Sequence, residues 1–165
     1  MENPVELAKL IAQETDNLYR ELCETPRLCG NSMERHFKKE LKLPEITVSD
    51  RCLSSGFRKE RCLHKIHRDL LRFQIYLVFL KDSFKDKKQT VEFIQLKTHT
   101  LAETVKRMEK NPEEEIEETS TDISVDELKS SDIWNEKVTT YIILQSFKDY
   151  MEKTTRAVRH SVKGN

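Results

Sequence analysis

The stretch SDIWNEKVTTYIILQSFKDYMEKTTRAVRHSV, residues 131–162, contains no glycine or proline and is the longest periodic segment of the chain. Within it, a set of residues that are apolar apart from one threonine recurs at steps of three and four. This spacing predicts that one face of a helix is buried. That face comprises Ile143, Leu144, Phe147, Met151, Thr154 and Val158. The opposite face is apolar at its start and polar or basic afterwards: Trp134, Val138, Tyr141, then Gln145, Lys148, Glu152, Arg156 and Arg159. We therefore expect this helix to close a core and to carry a second face of mixed character.

Three earlier segments show the same spacing, so the chain is predicted to hold four main helices. We place α1 at 5–22, α2 at 61–84, α3 at 90–109 and α4, the stretch quoted above, at 131–160. A shorter helical piece is expected at 32–41. The three glycines and four prolines interrupt none of the four main segments, and that distribution favours an all-α protein.

The lengths of the connections predict the topology. Nearly forty residues join α1 to α2, about five join α2 to α3, and about twenty join α3 to α4. Short connections force antiparallel neighbours, whereas long ones let the chain cross over and run parallel. We therefore expect one domain over residues 1–165, a four-helix bundle with up-up-down-down topology. The acidic segment 111–130 has no apolar stripe and is predicted to be a flexible linker.

Composition excludes several functions. The 29 basic and 29 acidic side chains balance, which argues against a nucleic-acid or membrane-surface protein. No apolar run is long enough to span a bilayer, and no signal peptide is visible, as expected of a mature secreted chain or a cytosolic one. No phosphate loop or nucleophile motif occurs. His64 and His67 follow Cys62, but the separation of Cys52 from Cys62 is wrong for a structural zinc site, so no metal or cofactor is expected.

The four cysteines fall in two close pairs, Cys23 with Cys29 and Cys52 with Cys62. Neither spacing is that of a zinc-binding pair or a redox motif. The clustering suggests two local disulfides, although the two other connectivities stay open. Disulfides would indicate an oxidising compartment and hence secretion. The alternative is a cytosolic bundle with four free, buried thiols.

Several motifs together resemble the interleukin-6 family of long-chain four-helix-bundle cytokines. They are CETPRLC at 23–29, LKLP at 41–44, CLSSGFRKERCLHKI at 52–66, F-x-x-Y-L-x-x-L at 73–80, W-x-x-x-x-T-T-x-x-I-L-x-S-F-K-D-Y at 134–150 and RAVR at 156–159. The similarity covers nearly the whole chain. It implies the two local disulfides, no catalysis, and secretion of a chain that is a monomer when free.

The resemblance also implies partners. Members of the family bind the interleukin-6 receptor α subunit and the shared signal-transducing β receptor, glycoprotein 130, and trigger JAK/STAT signalling in immune and acute-phase responses. Two alternatives remain open. One is a related four-helix cytokine that engages the β receptor without an α subunit. The other is a cytosolic helical scaffold protein that docks partner helices.

By resemblance, a first surface that meets the α receptor combines the end of α4 with the loop before α2. Its residues here are Leu53, Phe57, Arg156 and Arg159, and the family usually has an aromatic residue in place of Leu53. A loop closed by Cys52 and Cys62 would hold Phe57 in a fixed pose, with Gly56 allowing the bend. Alternatively, Phe57 folds back over the bundle.

The resemblance implies two β-receptor surfaces. One uses exposed faces of α1 and α3, at Lys9, Leu10, Gln13, Glu14, Lys97, Thr100, Glu103, Thr104 and Arg107. The mammalian pattern has Tyr and Gly where this chain has Leu10 and Glu14, so we expect a surface tuned to a different partner. The other centres on Trp134, with His36 and Leu41 nearby. Along α4, Trp134 would stand roughly 33–38 Å from Arg156 and Arg159.

Overall fold

The computed structural model describes residues 3–24, 41–53, 55–110 and 133–163, with side chains of the last range described from Glu136 onwards. Four α-helices make up most of these residues: α1 Pro4–Leu22, α2 Lys59–Ser83, α3 Lys88–Met108 and α4 Ile133–Lys163. No strand occurs in the described ranges. The predicted linker 111–130 and nearly all of the predicted short helix at 32–41 fall outside them. No helix in this part of the chain is both long and apolar enough to cross a membrane.

The helices begin and end close to the predicted residues. Residues at the N-terminus of α1 explain why that helix begins where it does. Asn3 caps α1 by accepting the Val5 N–H at 2.9 Å, and Pro4 occupies the first turn, where its missing donor costs nothing. Both α2 and α3 begin two residues before the predicted positions. The link between them is therefore only a single 3₁₀ turn, Lys85–Lys87, after Phe84.

Contacts between helix ends establish the up-up-down-down topology. At the end of α1, the Tyr19 ring stacks on Tyr141 near the start of α4, with centroids 5.5 Å apart. Phe57, just before α2, lies 4.4 Å from the ring of His160 near the end of α4. Both α1 and α2 thus run antiparallel to α4, and the short link makes α3 antiparallel to α2. The predicted fold class is confirmed.

The first part of α4 is buried on all sides, which corrects one sequence interpretation. Val138 and Tyr141 lie on the face opposite the predicted core stripe, yet each is only 1% exposed. Every residue from Val138 to Leu144 is buried, because α1 packs on one side of α4 and α2 on another. From Gln145 onwards the predicted polar face does reach solvent, although Gln145 and Lys148 are half-buried.

Polar side chains of α2 hold the connection that precedes it. The buried Tyr76 hydroxyl donates to the carbonyl oxygens of Leu41 and Lys42, and the Arg72 guanidinium donates to the Lys42 carbonyl at 2.8 Å. Further along, the Lys153 ammonium of α4 donates to the Ile46 carbonyl at 3.4 Å. Residues 41–46 therefore lie against α2 and α4, and this fixes where the following loop emerges.

The disulfide predictions have two outcomes. Cys52 and Cys62 form a disulfide, as predicted. Cys23 is also disulfide-bonded, while its predicted partner Cys29 lies outside the described residues. The described cysteines include no free thiol. This is not the pattern expected of a cytosolic scaffold with four free thiols.

Candidate functional site

The loop closed by the Cys52–Cys62 disulfide has a defined backbone. A 3₁₀ turn, Val48–Asp50, precedes it and is capped by the Asp50 carboxylate, which accepts the Thr47 N–H at 2.8 Å. Arg51 then adopts a left-handed conformation with φ 59°, and its carbonyl accepts the Arg58 N–H at 2.9 Å. Gly56 has φ +75°, which a side chain would strain, so the predicted bend is present at this residue.

This loop docks on the last turns of α4. The rings of Phe57 and His160 meet edge to face, with centroids 4.4 Å apart, and Phe57 is half-buried against the core. Phe57 therefore folds back onto the bundle and keeps only part of its ring accessible. Leu53 is 44% exposed, Arg156 is exposed and Arg159 is half-exposed. The structure thus brings the two predicted halves of the first surface to the same end of the bundle.

The residues predicted for α1 and α3 lie on neighbouring helices and reach solvent. Lys9, Gln13 and Arg107 are exposed, and the other six are half-buried. Thr100 and Thr104 donate to carbonyl oxygens one turn earlier in α3, at 3.1 and 2.8 Å. The Thr104 hydroxyl also accepts from the Arg107 guanidinium at 3.3 Å. Leu10 is half-buried, whereas Ile11 beside it is 1% exposed and takes the core position.

The third predicted group is described only in part. Trp134 lies in the first turn of α4, but its side chain is outside the described residues, as is the whole of His36. Leu41 is 9% exposed and belongs to the core cluster. Its side chain therefore offers little surface to a partner, although its backbone anchors the loop through Tyr76.

A buried acid–histidine cluster lies near the loop, where α2 begins and α3 ends. The Glu109 carboxylate is 3.1 Å from Nδ1 of His64 and 4.0 Å from Nδ1 of His67. Burial raises the pKa of Glu109, against the effect of the His64 hydrogen bond. Burial, and then the charge of Lys106, lower the pKa of His67. At 4.0 Å the carboxylate is at the outer limit of an ion pair, so burial dominates at His67.

The sequence profile of the interleukin-6/G-CSF/MGF family matches residues 2–161, almost the entire chain. The chain belongs to this family. Interleukin-6 of Gallus gallus is 38% identical over 156 residues, which are 93% of this chain and 65% of the relative. Interleukin-6 of Sus scrofa is 33% identical over 156 residues, again 93% of this chain and 74% of the relative. The chain therefore spans 65% of the length of the first relative and 74% of the second.

A solved structure supports the fold independently. A chain from a crystal structure of a cytokine/receptor complex superposes with a TM-score of 0.76 at 21% identity, covering 94% of this chain and 95% of that one. At this identity the likeness concerns the fold. Membership of the interleukin-6 family agrees with the prediction that the chain is a cytokine and not an enzyme.

This interleukin-6 family member also has exposed apolar side chains that are not among the predicted contact residues. On α3, Leu96 is 61% exposed, and the Phe93 ring is exposed with the Lys97 ammonium 5.5 Å from its centroid. Val162 in the last turn of α4 is 50% exposed, and Val48 beside the disulfide loop is also exposed. Phe93 and Leu96 fall outside the apolar stripe of α3. This position in the sequence pattern could have predicted that their side chains are exposed.

Proposed function

We propose that the chain is a secreted cytokine that binds an interleukin-6-type α receptor and then assembles the shared signal-transducing β receptor, which triggers JAK/STAT signalling in immune and acute-phase responses. The observation that carries the proposal is the docking of the disulfide-closed loop on the end of α4, through Phe57 and His160. It forms one composite patch from two segments that are about a hundred residues apart in sequence.

The composition of this patch suits a receptor interface. Arg156 and Arg159 supply charge, Leu53 supplies exposed apolar surface, and part of the Phe57 ring remains accessible. Arginine and aromatic side chains are the types that contribute most to binding at interfaces. The disulfide restricts the loop before binding, so less conformational entropy is lost when a receptor orders it.

A second patch on α1 and α3 is proposed for the β receptor. Leu10 and Gln13 of α1 and Thr104 of α3 reach solvent on packed neighbouring helices. The exposed side chains of Phe93 and Leu96 add apolar surface to α3. An exposed apolar patch indicates a binding surface. A second copy of the β receptor is proposed to contact the start of α4 around Trp134, together with His36.

Charge reversal tests the first patch. In Arg159→Glu, we expect binding to the purified α-receptor ectodomain to weaken at least about tenfold, because a charge-assisted contact becomes repulsive. Surface plasmon resonance measures the affinity, and circular dichroism checks that the helices persist. Lys88→Glu is the matched control, since Lys88 is exposed at the opposite end of the bundle. Unchanged binding by Arg159→Glu would refute this assignment.

A second variant separates the receptors. Thr104→Arg adds bulk and charge to the outer face of α3 without disturbing the core. We expect it to keep α-receptor affinity and to lose recruitment of the β-receptor ectodomain to the preformed complex. If the unmodified chain binds the β receptor equally well without the α receptor, the alternative of a cytokine that needs no α subunit is favoured.

A further inference from the structure

The acid–histidine cluster of Glu109, His64 and His67 takes no part in the proposed receptor contacts. The Glu109 side chain is only 4% exposed, and its carboxylate oxygens lie 3.1 Å from Nδ1 of His64 and 4.0 Å from Nδ1 of His67. His67 is 5% exposed, and within the described part of the chain its buried Nδ1 has no hydrogen-bond partner. Burying a polar atom without a partner costs stability, so packing alone does not explain this arrangement.

The end of α3 depends on this cluster for its contact with α2. Val105 is fully buried, whereas Met108 in the last turn is only half-buried. Beyond Met108, the Glu109 carboxylate reaches the two histidines, and the Lys110 N–H donates to the Glu60 carboxylate at 2.8 Å. Polar contacts therefore fasten the end of α3 more than apolar burial does. Such a helix end can open while the rest of the helix stays folded.

Folding makes the His67 imidazole a weaker base. Burial is the main reason that the pKa of His67 lies below its usual 6.5, and the charge of Lys106 on α3 acts in the same direction. Glu103 of α3 opposes this shift, and His64 of α2 adds to it. Because the end of α3 supplies part of this environment, its release would bring the pKa of His67 back towards 6.5. The open form therefore binds a proton at His67 more readily than the closed form does.

Glu109 responds to folding in the opposite direction. Burial raises the pKa of Glu109 above its usual 4.5, the His64 hydrogen bond and the Lys106 charge oppose this effect, and the Glu60 charge adds to it. Its contribution to closure is fully present below 4.5 and is lost as the pH rises through the raised pKa. The contribution of His67 is present above 6.5 and is lost as the pH falls through the lowered pKa. In mild acid, His67 is thus the group that favours opening.

We propose that the acid–histidine cluster is a pH-sensitive clasp, which holds the end of α3 on α2 near neutral pH and releases it in mild acid when His67 takes up a proton. An imidazolium carries an N–H at Nδ1. The Glu109 carboxylate lies 4.0 Å from this atom, beyond normal hydrogen-bond distance. The closed form therefore compensates the buried charge only in part, whereas water compensates it in the open form. The clasp acts in the chain alone and does not depend on a receptor.

Hydrogen exchange of backbone amides measures the release. The amides of residues 106–110 are compared at about pH 7 and about pH 5.5, after correction for the direct effect of pH on exchange, with residues 91–98 of α3 as the internal reference. A proton bound only by the open form, with a pKa of 6.5, would favour opening by about eightfold between these pH values. We expect protection at the end of α3 to fall by roughly three- to eightfold, because Glu109 offsets part of the effect. Protection of the reference amides should stay unchanged.

Three variants separate the groups. His67→Gln keeps a neutral polar side chain but removes the titrating imidazole, so we expect mild acid no longer to lower protection at the end of α3. Glu109→Gln removes the opposing carboxyl, and the loss should then approach about eightfold. His99→Gln is the matched control, since it removes an exposed imidazole from the same helix and should behave as the unmodified chain does. Circular dichroism at both pH values checks that the helices persist.

Four results would overturn the proposal. They are constant or rising protection of residues 106–110 in mild acid, an undiminished loss in His67→Gln, an abolished loss in His99→Gln, and an equal loss in the reference amides. The last result would mean that the whole bundle opens and not the end of α3. If His67→Gln did not fold, Glu109→Gln would decide, because a variant without any loss of protection in mild acid would exclude His67 as the trigger.

Discussion

The two parts of α4 have opposite environments, although one periodic pattern runs through both. Residues 138–144 are buried on every side by α1 and α2. Beyond Gln145 the helix keeps a buried stripe, and its other face reaches solvent at Glu152, Arg156 and Val162. A helix that is apolar all round is a core helix, whereas one with a single apolar stripe has a face free for binding. Only the second part can therefore carry the proposed α-receptor patch.

The two parts of α4 are also covered by different elements of the fold. Helices cover the first part, whereas the disulfide loop covers the end of α4 through the contact of Phe57 with His160. Loops carry variable binding residues on a rigid support more often than core helices do. The comparison leads to four predictions, from the largest expected effect to the smallest.

Truncating a core residue in the first part should cost the most. Leu144 is fully buried, so Leu144→Ala is expected to lower the free energy of unfolding by about 2–5 kcal/mol through lost burial and the remaining cavity. Guanidinium unfolding followed by circular dichroism measures the change. Leu144→Met preserves volume and should cost less than about 1.5 kcal/mol. A loss of similar size in both variants would show that packing is not the cause.

The same truncation at the two ends of α4 gives a direct comparison. Val138 is 1% exposed and Val162 is 50% exposed. We expect Val138→Ala to cost about 2 kcal/mol, from two lost methyl groups and a cavity, and Val162→Ala less than about 0.5 kcal/mol. Denaturant unfolding of the two variants provides the measurement. Equal costs would contradict the distinction between the two parts of the helix.

The docking of the loop should appear as a coupling energy. Phe57→Ala, His160→Ala and the double variant form a cycle that isolates the contact of the two rings. We expect a coupling of about 0.5–1.5 kcal/mol, as for other edge-to-face ring pairs. The unfolding free energies of all four proteins give this value. Strict additivity would mean that the loop does not rest on α4 through these rings.

The fold followed from features that act locally in the sequence. Three- and four-residue spacing defined the helices, because a helix must bury one stripe. Connection lengths defined the topology, since a link of four residues between α2 and α3 permits only an antiparallel turn. Cys52 and Cys62 are close in sequence, so the sequence alone suggested their pairing.

The candidate sites were less predictable, because they depend on how elements pack. Val138 and Tyr141 have the same apolar character whether they face solvent or α1, so periodicity alone could not show that their face of α4 is buried. Leu96 was not singled out, because its exposure depends on which face of α3 the other helices cover. The proximity of the basic residues Arg51, Arg61 and Lys110 was not predicted either, because they come together only when the end of α3 meets the start of α2.

The last prediction concerns the inner side of the second part of α4, where a buried carboxylate is present. Asp69 of α2 is 3% exposed, accepts the Tyr150 hydroxyl at 2.8 Å and pairs with the Lys65 ammonium at 2.9 Å. Burial raises the pKa of Asp69 above its usual 3.8, and the Lys65 charge only partly opposes this effect. In Asp69→Asn, the relief of a buried charge and the loss of the ion pair oppose each other. We therefore expect the smallest net change in stability near neutral pH.

The sign of the pH dependence makes this prediction specific. A carboxyl whose pKa is raised by folding binds its proton more tightly in the folded state. Its contribution to stability is fully present below the unfolded pKa and is lost as the pH rises through the folded pKa. The unfolding free energy of the unmodified chain, minus that of Asp69→Asn, should thus fall as the pH rises from below 3.8 towards neutrality. Denaturant unfolding at several pH values measures this difference. If it rose with pH, the Lys65 and Tyr150 contacts would outweigh burial in setting the pKa of Asp69.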